Sequence, residues 1–257
     1  MIKRSRSTAA VVLGIAWAIA AGSGHSEERL TASGELEPFV VAELFTSEGC
    51  SSCPPAERLL TQITQAARRE QKRIFTLEFH VDYWNGLGWK DPLSSPAFTR
   101  RQRDYARAFR NGTVYTPQMV VNGAKEFSGG DEGAFWQAAR EFLAVPAGVE
   151  IDLKLQENTD TSVSLRYELS RVPENCVLNV ALIQGYAANK VPLGENSGRF
   201  LEHTNVVRAF ETLGLEKSSG TVTLAKPKDA QFKDFAVIVY LADAATMNIK
   251  AATVLEL

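Results

Sequence analysis

The chain has 257 residues, with 28 Lys and Arg against 30 Asp and Glu, which gives a formal net charge of −2. Hydrophobic residues make up 45% and charged residues 23%, a composition typical of globular proteins that excludes a disordered, collagen-like or coiled-coil chain. A charge this close to zero also argues against a dedicated nucleic-acid binder, because such proteins must neutralise phosphates.

The N-terminal segment has the pattern of a secretory signal peptide. Three basic residues stand within the first six positions and precede an apolar run over residues 9–21. That run is shorter than the roughly 20 apolar residues that cross a bilayer as a helix. We therefore expect residues 1–26 to be a signal peptide. The mature protein is then secreted or periplasmic and has no stable membrane span.

Three runs in the first half of the chain predict strands. Residues 39–46 are a continuous apolar run, which suits a buried strand, and residues 74–84 alternate apolar with polar side chains. Residues 114–122 form the third run, which Pro117 interrupts.

Helical patterns follow each of these runs. Residues 56–69 place apolar side chains at helical spacing. Ser95 and Pro96 have the residue types favoured at the start of a helix, which we expect to end near Arg110, and Asp131 is expected to cap a third helix. This alternation implies a partly parallel sheet covered by helices. We expect the basic residues of the second helix to form a solvated face.

The chain changes character near residues 145–148. Beyond this point, roughly seven short β-rich runs follow one another, which is the pattern of a mainly antiparallel β-sandwich. We expect the polar segment over residues 194–208 to be a turn and the polar face of a strand. The alternative is a loop that folds back over the first domain near the cysteines.

The chain contains three cysteines, Cys50, Cys53 and Cys176. This is too few for a disulfide-scaffolded small protein, and an odd number leaves at least one thiol unpaired within a monomer. Cys176 opens a β-rich run, and we expect it to be buried as a small apolar side chain. The other two cysteines are therefore the candidates for chemistry.

The strongest chemical signal is the sequence Cys50-Ser-Ser-Cys53-Pro-Pro, which lies between the first strand and the first helix. Two cysteines at this spacing can close a small disulfide ring, and a thiol near a helix N-terminus can be activated by the helix dipole. Because a residue before proline disfavours the helical conformation, we expect the helix to begin near Cys53 and to leave Cys50 upstream.

A second signal is Thr116-Pro117, 64 residues beyond Cys53, at the start of the third strand. A cis peptide bond there would expose neighbouring backbone groups for pairing with an extended peptide. We expect the two cysteines to lie at the rim of the sheet, close to this proline and open to water.

Four stretches of the sequence carry a resemblance to known proteins: ELFTSEGCSSCPPAE, FHVDYWNGLGWKDPLSSPAFTRRQRDYA, VYTPQMVVNG and GENSGRFLEHTNVVR. The chain resembles the thioredoxin-like superfamily and, more closely, a family of exported bacterial proteins known as a domain of unknown function. The resemblance implies an α/β thioredoxin-like domain over residues 36–145, followed by the β-sandwich-like domain over residues 148–257.

The superfamily resemblance also implies thiol–disulfide exchange with protein thiols or disulfides. Cys50 would be the attacking residue and Cys53 the resolving residue, while Thr116 and Pro117 would shape the substrate groove. Trp84 is expected at the same rim and could bind substrate. No bound cofactor is needed, because electrons move through sulfur.

Three acidic or basic side chains are possible auxiliaries. Thioredoxin-like enzymes often carry a buried acid before the motif, and Glu43 stands one position away from that place. His80 and Asp82 share one face of the second predicted strand with Glu78. We expect that face to be a partly solvated sheet edge.

Two alternatives to exchange remain open. The pair could be a static disulfide in a non-catalytic binding protein. It could also belong to a zinc or copper(I) thiolate site, with ligands drawn from Cys50, Cys53, Cys176, His80 and His203.

Overall fold

A computed structural model of the protein describes residues 34–228 and 234–257. The expected signal peptide, residues 1–26, lies outside the described residues. None of the helices in the described ranges is both long and apolar enough to cross a membrane. The structure is a mixed α/β fold with a large sheet and few helices.

The first half of the chain alternates strands and helices in the predicted order. Its elements are β1 (Val40–Thr46), α1 (Pro54–Arg69), β2 (Ile74–His80), α2 (Pro96–Ala108), β3 (Gln118–Val121), β4 (Lys125–Ser128) and α3 (Glu132–Phe142). Strands β1 and β2 are parallel, whereas β1 pairs with β3, and β3 with β4, in antiparallel fashion.

The helix starts follow the sequence signals. Cys53 is the N-cap of α1, and two prolines occupy its first turn, where the missing N–H groups break no intrahelical bond. The hydroxyl of Ser95 accepts a hydrogen bond from the backbone N–H of Ala97 at the start of α2. Asp131 caps α3 in the same way. These three starts confirm the predictions.

The strand boundaries differ from the predictions in two places. Strand β2 ends at His80, because Asp82 bonds to Thr99 of α2 through both its backbone N–H and its carboxylate. Strand β3 begins only after Pro117, and the short, partly exposed strand β4 was not predicted.

The second half contains the seven expected strands: β5 (Ile151–Asn158), β6 (Ser162–Leu169), β7 (Cys176–Lys190), β8 (Phe200–Gly214), β9 (Ser219–Ala225), β10 (Phe235–Asp243) and β11 (Ile249–Glu256). Strands β5, β6 and β9 form a three-stranded sheet in the order β5-β6-β9. The other four strands join the first half in one eight-stranded sheet, ordered β11-β10-β7-β8-β2-β1-β3-β4.

The connection between the halves is the parallel pairing of β2 with β8, at Glu78 and Val206. Since β8 pairs with the edge of β2 that lies away from β1, β2 is an interior strand. The expectation of a partly solvated edge at Glu78 and His80 is therefore wrong, and both side chains are fully buried.

Alternate residues of β1 fill two separate cores. Val40, Ala42 and Leu44 pack with α1 and α3, whereas Val41 and Phe45 pack on the opposite face with α2 and β10.

A third core, which includes Cys176, lies between the three-stranded sheet and strands β7 and β10. The prediction that Cys176 is a buried, unpaired cysteine is confirmed.

Candidate functional site: a covered disulfide beside buried histidines

Cys50 and Cys53 form a disulfide at the junction of β1 and α1, with an S–S distance of 2.12 Å. The backbone carbonyl of Cys53 accepts hydrogen bonds from Ala56 and Glu57 in the first turn of α1, whereas Cys50 lies upstream of the helix. Ser51 and Ser52, between the two cysteines, are exposed. Both cysteines, however, have a relative exposure of 0%. The expectation that the pair is open to water is therefore wrong.

The cover comes from the second half of the chain. Residues 191–199 connect β7 to β8, and we call them the cover loop. The side-chain amide of Asn196 donates hydrogen bonds of 2.9 Å to the carbonyl oxygens of Glu48 and Cys50. The backbone N–H of Ser51 donates to the carboxylate of Glu195 at 3.1 Å. The segment expected to be a simple turn thus folds back over the cysteines.

A second loop, between β2 and α2, supports the cover loop. The Cα atom of Gly194 lies 3.3 Å from the place where a Cβ on Gly88 would stand, so the two backbones are in close contact. Gly88 and Gly194 have φ values of 110° and 79°, which lie in the region that favours glycine.

The three predicted substrate-binding residues lie near the loop that carries Cys50 or near the start of α1. The Thr116–Pro117 peptide bond is cis. The indole N–H of Trp84 donates to the hydroxyl of Thr116 at 2.8 Å, and the Cβ of Trp84 packs against Gly49, next to Cys50. Pro117 and Ala56 of α1 pack against the same glycine, Gly129.

Glu43 lies on the opposite face of β1 from α1. Its carboxylate forms two hydrogen bonds, of 2.9 and 2.7 Å, with the guanidinium of Arg101, and it accepts a third, of 2.6 Å, from the hydroxyl of Tyr240. Arg101 belongs to the helix face that was expected to be solvated, but it is buried. Asp82 is bonded to Thr99 of α2. The structure therefore places neither acid beside the cysteines.

The buried cluster next to the disulfide is centred on Glu78 of β2. Its Oε1 atom lies 3.1 Å from Nε2 of His80 and 2.8 Å from Nδ1 of His203. Its Oε2 atom accepts a hydrogen bond of 3.0 Å from the backbone N–H of Thr204. His80 is one of the predicted auxiliaries, and β8 supplies the partner histidine.

Three more carboxylates surround the histidines. Oδ2 of Asp91 lies 2.7 Å from Nδ1 of His80 and also accepts a hydrogen bond from the backbone N–H of Glu48. Oε1 of Glu48 lies 3.3 Å from Nε2 of His203. Oε2 of Glu57, on α1, lies 3.9 Å from Nδ1 of the same ring. All of these side chains are buried.

The charges within the cluster shift its ionisation. Burial lowers the pKa of His80, but the charge and hydrogen bond of Asp91, together with the hydrogen bond to Glu78, outweigh burial and raise that pKa to about 10. Burial also lowers the pKa of His203, but Glu78, Glu48 and Glu57 together outweigh burial and hold it well above the usual value. Burial raises the pKa of Glu57 to about 7, and the charge of Glu78 adds to this increase. Burial opposes ionisation of Glu78 as well, but the two histidines lower its pKa to about 2.

Four residues of the site were not predicted from the sequence: Glu48, Glu57, Asp91 and Asn196. Glu48 and Glu57 flank the cysteine motif, and this position in the sequence was the signal that could have identified them as parts of the site. Asn196 was noted within a polar segment, but its contact with Cys50 spans 146 residues.

The thiolate metal alternative is not supported in this oxidised form. Cys50 and Cys53 are bonded to each other, and Cys176 packs in a separate core.

The comparisons with known proteins identify the family. A family model described as "Protein of unknown function (DUF1223)" matches residues 41–242. A crystal structure of protein AGR_C_4864 from Agrobacterium tumefaciens is similar, with 30% identity and a TM-score of 0.64 over 85% of this chain and 94% of that one. No curated protein matches the chain.

Two further solved structures are only weakly similar. A domain of the outer membrane lipoprotein Omp28 from Porphyromonas gingivalis is 10% identical, with a TM-score of 0.28 over 43% of this chain and 88% of that one. A β-glucosidase from Kluyveromyces marxianus is 15% identical, with a TM-score of 0.21 over 44% of this chain and 14% of that one. Scores this low carry no argument. The extent of the family match is decisive, and the chain belongs to the family described as "Protein of unknown function (DUF1223)".

Proposed function

We propose that this protein is an exported thiol–disulfide oxidoreductase on a thioredoxin-like scaffold, and that its cover loop must move before the disulfide reacts. The observation that carries the proposal is the disulfide between Cys50 and Cys53 at the junction of β1 and α1. The N-terminal signal-peptide pattern supports export to an oxidising compartment, where such a disulfide persists.

The scaffold supports the same assignment. From β1 to α3 the order is β-α-β-α-β-β-α, and the strands lie in the order β2-β1-β3-β4. The start of α1 lies near Pro117, since Ala56 and Pro117 both pack against Gly129, and this proximity supports the proposed thioredoxin-like scaffold. Trp84 links the loop that carries Cys50 to the Thr116–Pro117 segment, because it packs against Gly49 and donates a hydrogen bond to Thr116. An extended substrate segment would lie in this region.

The exchange step follows from the oxidised pair. A substrate thiolate attacks Sγ of Cys50, the Cys50–Cys53 bond breaks, and Cys53 leaves as a thiolate that takes up a proton. A second thiol of the same substrate, after losing its proton, attacks the substrate sulfur of the mixed disulfide and releases Cys50 as a thiolate, which takes up a proton. Two electrons and two protons thereby pass from the substrate dithiol to the pair, and the reverse sequence reduces a substrate disulfide.

Access to Cys50 requires displacement of the cover loop, because both sulfurs are inaccessible in the closed form. The contacts described at the cover include two hydrogen bonds from Asn196 and one to Glu195. The two neutral hydrogen bonds of Asn196 contribute only about 0.5–1.5 kcal/mol net each, and the one to the Glu195 carboxylate about 1.5–3 kcal/mol, so opening of the loop is thermodynamically accessible. A partner protein that binds the loop would favour the open form.

The full burial of both cysteines favours a second candidate, a static disulfide in a non-catalytic binding protein. The two candidates differ in the reduction potential of the pair. A structural bridge has a potential below about −300 mV, whereas an oxidant or isomerase lies near or above about −200 mV.

The experiment that tests the proposal is a trapping assay on the oxidised mature chain. Cys53→Ser leaves a mixed disulfide at Cys50 without a resolving thiol, so we expect Cys50 of this variant to attack oxidised glutathione or a peptide disulfide and the resulting mixed disulfide to accumulate. Cys50→Ser should abolish exchange activity, and Cys176→Ser should leave it unchanged. A folded wild-type protein that neither reduces nor oxidises any model dithiol or disulfide would contradict the proposal.

A further inference from the structure

The cluster of Glu78, His80 and His203 has no role in the exchange step. One ligand atom from each of these three residues lies within 4.8 Å of the other two. They come from neighbouring strands of the sheet, β2 and β8, and each has a relative exposure of 0%. Six buried ionisable groups in one place are costly compared with apolar side chains, which suggests a task beyond stability.

The spacing of the donor atoms suits one metal ion. Metal–ligand distances of about 2.0–2.2 Å place neighbouring ligand atoms roughly 3 Å apart. Oε1 of Glu78 lies 3.1 Å from Nε2 of His80 and 2.8 Å from Nδ1 of His203. The ion would lie between these three atoms. The Thr204 N–H already holds the other oxygen of Glu78, which leaves Oε1 for the ion.

The outer contacts follow the pattern of histidine metal ligands. A ligand histidine usually directs its second ring nitrogen to a carboxylate, which fixes the ring and increases its basicity. Here Nδ1 of His80 faces Asp91 at 2.7 Å, and Nε2 of His203 faces Glu48 at 3.3 Å. Each ring thus has one nitrogen directed at an outer carboxylate and the other directed at Glu78.

The charge of the cluster is compatible with a divalent ion. Four carboxylates, on Glu48, Glu57, Glu78 and Asp91, surround two imidazoles. Two imidazolium protons, or one divalent cation with neutral imidazoles, supply the same positive charge. A divalent ion can therefore replace the two protons without changing the net charge of a fully buried region.

We propose that Glu78, His80 and His203 form a binding site for one divalent transition-metal ion, with Glu57 as the nearest further carboxylate. Two imidazoles and a carboxylate suit Zn²⁺ and its first-row neighbours, whereas Mg²⁺ and Ca²⁺ prefer sites built entirely of oxygen. The site requires no thiolate. It is independent of the proposed exchange activity, because it binds metal while Cys50 and Cys53 remain bonded to each other.

The test is metal binding by the oxidised, chelator-treated mature chain. Zn²⁺ and Co²⁺ are added to the native protein and, separately, during refolding from denaturant, so that slow entry into the buried site does not prevent detection. We expect one ion per chain and a Co²⁺ spectrum without a thiolate charge-transfer band. Glu78→Gln and His203→Gln should abolish stoichiometric binding, and circular dichroism should establish that each variant is folded.

Two further variants separate ligation from general structure. Asp91→Asn keeps all three ligands but removes the outer carboxylate of His80, so we expect its affinity to fall by about ten- to hundredfold. Cys176→Ser should bind as the wild type does. Failure of both native and refolded protein to take up one ion would overturn the proposal, and so would binding that folded Glu78→Gln and His203→Gln leave unchanged.

Discussion

The side-chain amide of Asn196 donates a hydrogen bond of 2.9 Å to the backbone carbonyl of Cys50, across 146 residues of sequence. The guanidinium of Arg199 orients this amide by donating to its oxygen, also at 2.9 Å. The second half of the chain therefore contacts the disulfide loop directly.

Asn196→Ala should make the disulfide easier to reduce. The substitution removes two buried hydrogen bonds to the loop that carries Cys50, which together stabilise the closed form by about 1–3 kcal/mol. We expect the rate of reduction by dithiothreitol to rise about tenfold or more. Ser197→Ala is the matched control, because Ser197 bonds only within the cover loop, to the carbonyl of Pro192. Equal rates for the two variants would show that Asn196 does not hold the cover.

Gly194→Ala should loosen the same cover through its backbone. Gly194 has a φ of 79°, and an added Cβ would lie 3.3 Å from the Cβ of Trp89. Strain of this kind costs about 1–3 kcal/mol, so thermal stability should fall and reduction of the disulfide should accelerate. Gly86→Ala is the control, because nothing lies within 4 Å of its added Cβ and its φ is not in the positive range. A neutral Gly194→Ala variant would contradict the tight contact between the two loops.

Arg101→Ala should destabilise the whole fold. The guanidinium is 4.6 Å from the ring centroid of Phe210 and pairs with the buried carboxylate of Glu43. Removing one partner of a buried ion pair costs about 3–5 kcal/mol, which chemical denaturation would measure. Arg101→Lys should restore little, because lysine cannot reproduce the two parallel hydrogen bonds. Arg103→Ala, at an exposed position of the same helix, should change the free energy of unfolding by less than about 0.5 kcal/mol.

Zinc affinity should rise with pH. Burial lowers the pKa of His80, but Asp91 and Glu78 together outweigh burial and raise that pKa to about 10, so this ring holds a proton at neutral pH. Metal ligation requires a neutral ring, and ion uptake therefore releases protons. Calorimetry in buffers of different ionisation enthalpy should detect roughly one to two protons released per ion. Uptake of zinc without proton release would contradict ligation by the two histidines.

The sequence was most informative where the signal is local. The Cys53-Pro-Pro start of α1, the Ser95-Pro96 start of α2 and the Asp131 cap depend on residues within one helical turn. Strand β4 was missed because it has only four residues and its side chains are partly exposed.

The candidate site was harder to predict, because it depends on pairing between distant segments. Alternation in β2 showed that Glu78 and His80 share a face, but it could not show that β8 pairs beside β2 and brings His203 to that face. The contact between Glu78 and His203 spans 125 residues. The burial of Cys50 has the same origin, since its cover belongs to the second half.

Glu43 was noted as an acid near the motif, but strand geometry directs it to the opposite face from α1, where Arg101 and Tyr240 bind it.

Whether the Cys50–Cys53 pair is redox-active is decided by its reduction potential, measured by equilibrating the oxidised mature chain with glutathione redox buffers. A redox-active pair under a movable cover should equilibrate reversibly with these buffers, at a potential above about −300 mV. A pair that stays oxidised in every buffer, with a potential below about −300 mV, would instead identify the bridge as structural.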